Sequence, residues 1–102
     1  MTITLKDKSY TDEEIIKCLI TCEKVISKNA YLEKKWKNSQ IYEGVSNADQ
    51  YTYIREEWMN YRNKLRSLLL YKYSMKEIIQ KTKSSTEKAT QKQVKEIISF
   101  MD

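Results

Sequence analysis

The chain of 102 residues contains no histidine, no proline and a single glycine, Gly44. Without histidine it lacks the commonest general base and the commonest nitrogen ligand for metals. A lone glycine cannot build a glycine-rich phosphate loop. No conventional enzyme is expected from such a composition. The two cysteines, Cys18 and Cys22, are too few for a disulfide framework. Four residues apart on a helix they offer a zinc ion two ligands where it needs four, so no metal site and no cofactor are expected. Buried structural thiols are the better reading, and a disulfide between them is disfavoured because the Cβ vectors of an i, i+4 pair are poorly directed. Long apolar runs are missing as well. The longest, Leu68-Leu69-Leu70-Tyr71, is far short of a membrane span. The opening Met1-Thr2-Ile3-Thr4-Leu5 has neither the apolar run nor the cleavage pattern of a signal peptide. A soluble, reduced, cytoplasmic protein with no membrane partner is expected.

What is abundant points to helices. Lys, Glu, Ile, Leu and Gln without breakers predict an all-α chain, a single small domain over 1–102 with four or five helices and a long central one. Residues 1–9 alternate apolar and polar only at Ile3 and Leu5, and read as an extended N-terminal arm or a short edge strand. Thr11-Asp12-Glu13-Glu14 has the form of a capping box, with carboxylates where the helix dipole favours them. Ile15, Cys18, Leu19, Cys22, Val25 and Ile26 then recur at helical steps, one buried face of a helix expected to end near Lys28-Asn29. A shorter helix is predicted over 30–37 and a loop over 39–47. From about Asn47 to Tyr73 the residues Tyr51, Ile54, Trp58, Tyr61, Leu65, Leu68 and Lys72 step by three and four, an apolar stripe along the longest helix. Ser74-Met75-Lys76-Glu77 is a second capping box, opening a short helix with Met75, Ile78 and Ile79 inward. Ser84-Ser85-Thr86-Glu87 is a third, opening a last helix that buries Ala89, Val94, Ile97, Ile98 and Met101.

The net charge of +5 is unevenly spread. Residues 1–61 carry nine basic against ten acidic residues, and residues 62–102 ten against four. A basic C-terminal part is the electrostatic footprint of a surface that meets an anion, although a solvated lysine-rich face would look the same. Arg55, Arg62 and Arg66 fall along one side of the long helix with Lys64 beside them, either packing their stems or forming a ridge for a partner. Paired carboxylates at Glu13-Glu14 and Glu56-Glu57 are explained by capping and solvation. Eight tyrosines and two tryptophans exceed what one small core holds, and leftover tyrosines such as Tyr71 and Tyr73 suit a protein interface.

A short helix, a polar turn and a helix with a Lys/Gln/Thr-rich outer surface follow one another over 74–101, the order of a helix-turn-helix unit. In that unit Ser85, Thr86, Lys88, Ala89, Gln91 and Lys92 would face bases, Ala89 against a thymine methyl, with Lys81, Lys83 and Lys95 near phosphates. Over about 65–98 the chain resembles the helix-turn-helix of sigma-like regulators from phages and mobile elements, whose S-x-x-E-I-A is matched by Ser74-Met75-Lys76-Glu77-Ile78-Ile79 and whose later S-x-x-T-V is approached by Ser85 with Ala89-Thr90. Ile79 stands where the family has a small Ala, and Lys83 or Ser84 replaces the turn glycine. The front, Thr11-Asp12-Glu13-Glu14-Ile15-Ile16-Lys17 with Leu19 and Cys22, looks like the opening of small phage-encoded proteins that continue into C-x-x-C-P, a segment missing here. The resemblance implies a DNA-binding regulator of phage or mobile-element origin, and a homodimer is expected because a lone unit of this size offers few phosphate contacts and recognition doubles the half-site. The rival expectation is a stoichiometric protein-binding inhibitor, anti-defence or immunity in type, acting through Arg55, Arg62, Arg66, Tyr71 and Tyr73.

Overall fold

A computed structural model describes residues 2–37 and 42–101, and the side chains of all of these except 42–47. The fold is mostly helical. Strands β1 (Thr2–Leu5) and β2 (Lys8–Thr11) precede helices α1 (Asp12–Lys37), α2 (Tyr42–Leu69), α3 (Met75–Ser84) and α4 (Gln91–Met101). The expected N-terminal arm is therefore a β-hairpin, paired Thr2 to Thr11 and Leu5 to Lys8, with Lys6 at a positive φ of 54° in the tight turn. Its inner face carries Ile3, Leu5 and Tyr10 onto the core, and Lys8 lies over the Phe100 ring while pairing with Glu96 at 2.6 Å. This apolar and ionic seat on α4 holds strands too short to be stable alone.

Thr11 caps α1 as its sequence predicts, its Oγ1 accepting from the Glu14 amide at 3.2 Å. The helix does not end near Asn29, and the separate helix over 30–37 is its continuation. Asn29 is buried inside α1 and its Nδ2 donates to the Val25 carbonyl at 2.8 Å, so the side chain that suggested a stop is satisfied within the helix. Of the loop expected over 39–47, residues 42–47 belong to α2 and the rest lie outside the described residues. One Gly in a helix interior costs only about 1 kcal/mol relative to Ala, which the packing of a 28-residue helix readily exceeds.

α1 and α2 run antiparallel, and three carboxylates of α1 mark the register. Near the far end Glu33 meets Arg55 at 3.0 Å and Lys37 at 3.0 Å; midway Glu23 meets Arg66 at 3.3 Å and Arg62 at 3.6 Å. At the near end Asp12 accepts from Tyr71 at 2.8 Å, Tyr73 at 3.2 Å and Lys72 at 3.4 Å. Burial pushes the Asp12 carboxyl up, but the three donors together outweigh it and hold it below its ordinary value. Between the carboxylates the interface is apolar. Ile15, Cys18, Leu19 and Cys22 of α1 and Trp58, Leu65 and Leu69 of α2 are buried, with Trp58 edge-on to Tyr61 at 5.2 Å between centroids. Leu69, outside the expected stripe, is buried where Leu68 is only partly so, and α2 stops there as the chain turns back. Burial pushes the Cys18 thiol up to about 11 and the Cys22 thiol to about 12, which leaves both protonated and unreactive at neutral pH.

α3 opens on the predicted box in full: Ser74 Oγ accepts from the Glu77 amide at 3.2 Å, and Glu77 Oε1 accepts from the Ser74 amide at 3.1 Å. Ile78 is buried, but Met75 is exposed. α3 and α4 both pack on the α1–α2 hairpin where α1 begins and α2 ends, and with the β-hairpin they form a head. The far part of the hairpin projects from it as a two-helix arm, giving extents of 52 × 27 × 20 Å. Among the described residues no helix is long and apolar enough to cross a membrane.

Leu65 is fully buried where both long helices and the head converge. Leu65→Ala is expected to cost about 2–5 kcal/mol in urea unfolding with an unchanged m-value; a loss under 1 kcal/mol would contradict the packing. The hydrogen bonds from Lys37, Thr52 and Arg55 hold the Glu33 carboxyl down at about 2. A carboxyl depressed in the folded state stabilises fully above its unfolded pKa, and that stabilisation is lost as pH falls toward the folded value. Glu33→Gln should lower the melting temperature at neutral pH, with the gap to the parent chain closing between about pH 5 and about pH 2.

Candidate functional site

The six residues from Ser85 to Thr90 form neither helix nor strand, and Ser85 is extended. Local sequence favours a helix start at Ser84 or Ser85, yet α3 runs on through Ser84 and α4 begins only at Gln91. Thr90 is the cap that forms, its Oγ1 accepting from the Gln93 amide at 3.1 Å. Tertiary bonds hold the segment out of a helix. Glu87, which the third box would have used, pairs with Lys17 at 2.8 Å. The Ala89 amide donates to the Lys17 carbonyl at 3.2 Å, and the Thr21 hydroxyl donates to the Ala89 carbonyl at 2.5 Å. The segment is thus a strap across the outer side of α1, with α3 at one end and α4 at the other. Thr21 is buried beneath it.

Two depressions flank the strap. One is an open cleft of about 510 Å³ with Ile20 and Ile79 as its apolar floor and Lys24, Ser27, Arg66, Lys83 and Ser85 around it; the one carboxylate of its lining, Glu23, is paired with Arg62 and Arg66. The other, of about 370 Å³, is lined by Lys24, Lys28, Lys88, Thr90 and Gln91. Lys24 belongs to both, so the two form one surface. Lys92 and Lys95 continue it along the exposed side of α4, where Val94, Ile97 and Ile98 turn inward. Among the described residues none of Lys24, Lys28, Lys83, Lys88, Lys92 and Lys95 takes part in an ion pair. The hydroxyls of Ser27 and Ser85 and the Gln91 amide stand among them. Cations without internal partners, set beside neutral donors, are chemically suited to phosphate oxygens or carboxylates.

The residues expected to read DNA are distributed as follows. Lys83, Ser85, Lys88 and Gln91 are brought together on this surface, with Lys92 and Lys95 adjoining it. Lys81 lies to one side, in a depression with Thr86, and its ammonium sits 4.9 Å above the Tyr73 ring. Ser85, Thr86 and Lys88 ride on the strap, so they do not occupy the first turn of a helix as expected. The residues expected at a protein interface are engaged within the chain: Arg55 with Glu33, Arg62 and Arg66 with Glu23, Tyr71 and Tyr73 with Asp12. Burial lowers the Arg66 pKa first, with Arg62 adding to the effect, and Arg66 still reaches the rim of the cleft.

Lys24, Ser27 and Lys28 come from the near-neutral N-terminal half, where the distribution of charge along the sequence points to no anion-binding surface. The signal was present: Lys17, Thr21, Lys24 and Lys28 recur at steps of four, three and four, a polar stripe opposite the apolar one. The chain matches no protein-family model, and no curated protein or solved structure matches it.

Thr21→Val removes the hydroxyl that ties the strap down and leaves the Ala89 carbonyl without its side-chain donor. We expect a loss of about 1–3 kcal/mol and faster hydrogen exchange at the Ala89 amide. Unaltered exchange there would show that the strap is held by other means.

Proposed function

We propose that the chain is a small non-enzymatic binding protein whose partner is DNA, met through the basic surface around the strap. The observation that carries this reading is the sorting of charge. The arginines of α2 and the lysines at 8, 17, 37 and 72 are paired with carboxylates of this chain; among the described lysines without an ion pair, those at 6, 34, 35, 76 and 81 lie elsewhere, whereas Lys24, Lys28, Lys83, Lys88, Lys92 and Lys95 gather around the strap. An anionic polymer is the ligand that such a surface neutralises most completely, through release of its counterions. Ser27, Ser85 and Gln91 add neutral donors that orient a backbone. The six-residue strap separates α3 and α4 more widely than a tight helix-turn-helix, so this reading takes phosphate contact from the strap and α1 and does not require a helix end in a groove. A regulator of mobile-element type, working as a homodimer, is the role within which the resemblance over about 65–98 would place it.

A stoichiometric inhibitor of a protein partner is the second reading. One observation favours it: Tyr53, 72% exposed beside Ile54 on the arm, is a large aromatic with no packing task in the monomer.

The test is fluorescence anisotropy of the purified chain with labelled DNA across a salt series. Log affinity should fall linearly with log salt, and Lys24→Glu, Lys88→Glu and Lys92→Glu together should weaken binding at least tenfold at low salt and flatten the slope. Helicity by circular dichroism should be unchanged, since all three side chains are exposed. Undiminished affinity in the triple variant, or no binding by the parent chain at low salt, would defeat the DNA reading and leave the inhibitor.

A further inference from the structure

Resting on the DNA reading, we infer that the basic surface continues outward along α1 as a track for single-stranded nucleic acid, with Tyr31 as the platform on which an unpaired base stacks. Lys24, Lys28, Tyr31 and Lys35 follow one another at steps of four, three and four, which sets them in one line on a helix. The line faces away from α2. Positions 22, 25 and 29 are buried and Glu33 reaches across to Arg55, while Tyr31, two residues from both Asn29 and Glu33, is turned by roughly 160–200° from them. All four residues of the line are exposed, Tyr31 at 66%.

Charge and shape both match an extended strand. From Lys24 to Lys37 the one carboxylate is Glu33, and it is occupied by Lys37 and Arg55, so nothing negative interrupts the line. Lys28 and Lys35 lie about one turn below and above Tyr31, roughly 4.5 and 6 Å along the axis. A nucleoside stacked on the ring would have a cation near the phosphate on either side. The line starts at Lys24, which both depressions beside the strap share, so the track and the basic surface are continuous. Tyr31 has no hydrogen bond or ring contact among the described residues, and so has no visible task in the fold. An aromatic face among lysines discriminates strandedness: a single strand can lay a base on it, whereas the bases of a duplex are already stacked on each other.

The experiment compares Tyr31→Ala, Tyr31→Phe and the parent chain by anisotropy against a labelled oligo(dT), an abasic strand of the same length and a duplex. Tyr31→Ala should weaken oligo(dT) binding about 5- to 100-fold, Tyr31→Phe should retain it, and neither should change binding of the abasic strand or the duplex. Thermal unfolding of both variants should match the parent. Equal affinity of parent and Tyr31→Ala for oligo(dT), or an equal loss on all three ligands, would overturn the stacking role while leaving the basic surface in place. Salt-independent or absent binding of every ligand by the parent would overturn both.

Discussion

Asp12, Glu23 and Glu33 stand about three turns apart along α1, and each reaches across to α2 or to the turn that follows it. Between them the apolar face of α1 lies against Trp58, Leu65 and Leu69. The apolar burial supplies most of the stabilisation, because partly exposed ion pairs are worth only about 0–1 kcal/mol each. The pairs contribute register: a slip of one turn would leave three carboxylates and the four cations Arg55, Arg62, Arg66 and Lys72 without their partners. With the two long helices fixed, α3, the strap and α4 have a single track along which to dock.

The same ladder decides where the molecule is positive. A count along the chain gives an N-terminal part near neutral and a basic C-terminal part. In three dimensions the acidic residues at 12, 23 and 33 are paired with α2 and its turn, and Lys24 and Lys28 on the outer side of α1 stand without an ion pair beside the basic C-terminal segment. The basic surface is therefore assembled from both halves of the sequence, and Lys24 joins them.

The strap shows how a local preference yields to tertiary bonding. Ser84 to Glu87 satisfies the pattern of a capping box, worth about 1 kcal/mol. Against it stand the hydrogen bonds of Ala89 with Lys17 and Thr21, the Glu87–Lys17 pair and the partial burial of Ala89 on α1. Together they exceed one cap, and the chain stays out of a helix until Thr90. Asn29 makes the same point in the opposite direction, since its polar side chain is absorbed by the helix it was expected to end.

The amino-acid sequence alone determined the helical class, the caps at Thr11 and Ser74 and the apolar residues of α1, α2 and α4. Those features depend on neighbours three and four residues apart, which the chain carries wherever it folds. The β-hairpin, the start of α4 at Gln91 and the gathering of Lys24 with Lys83 and Lys88 were decided by tertiary structure. The hairpin seat, the start of α4 and the gathering of lysines rest on bonds between residues far apart in the chain, such as Lys8 with Glu96 or Thr21 with Ala89, which no local period encodes; α1 runs on because Asn29 bonds within its own helix.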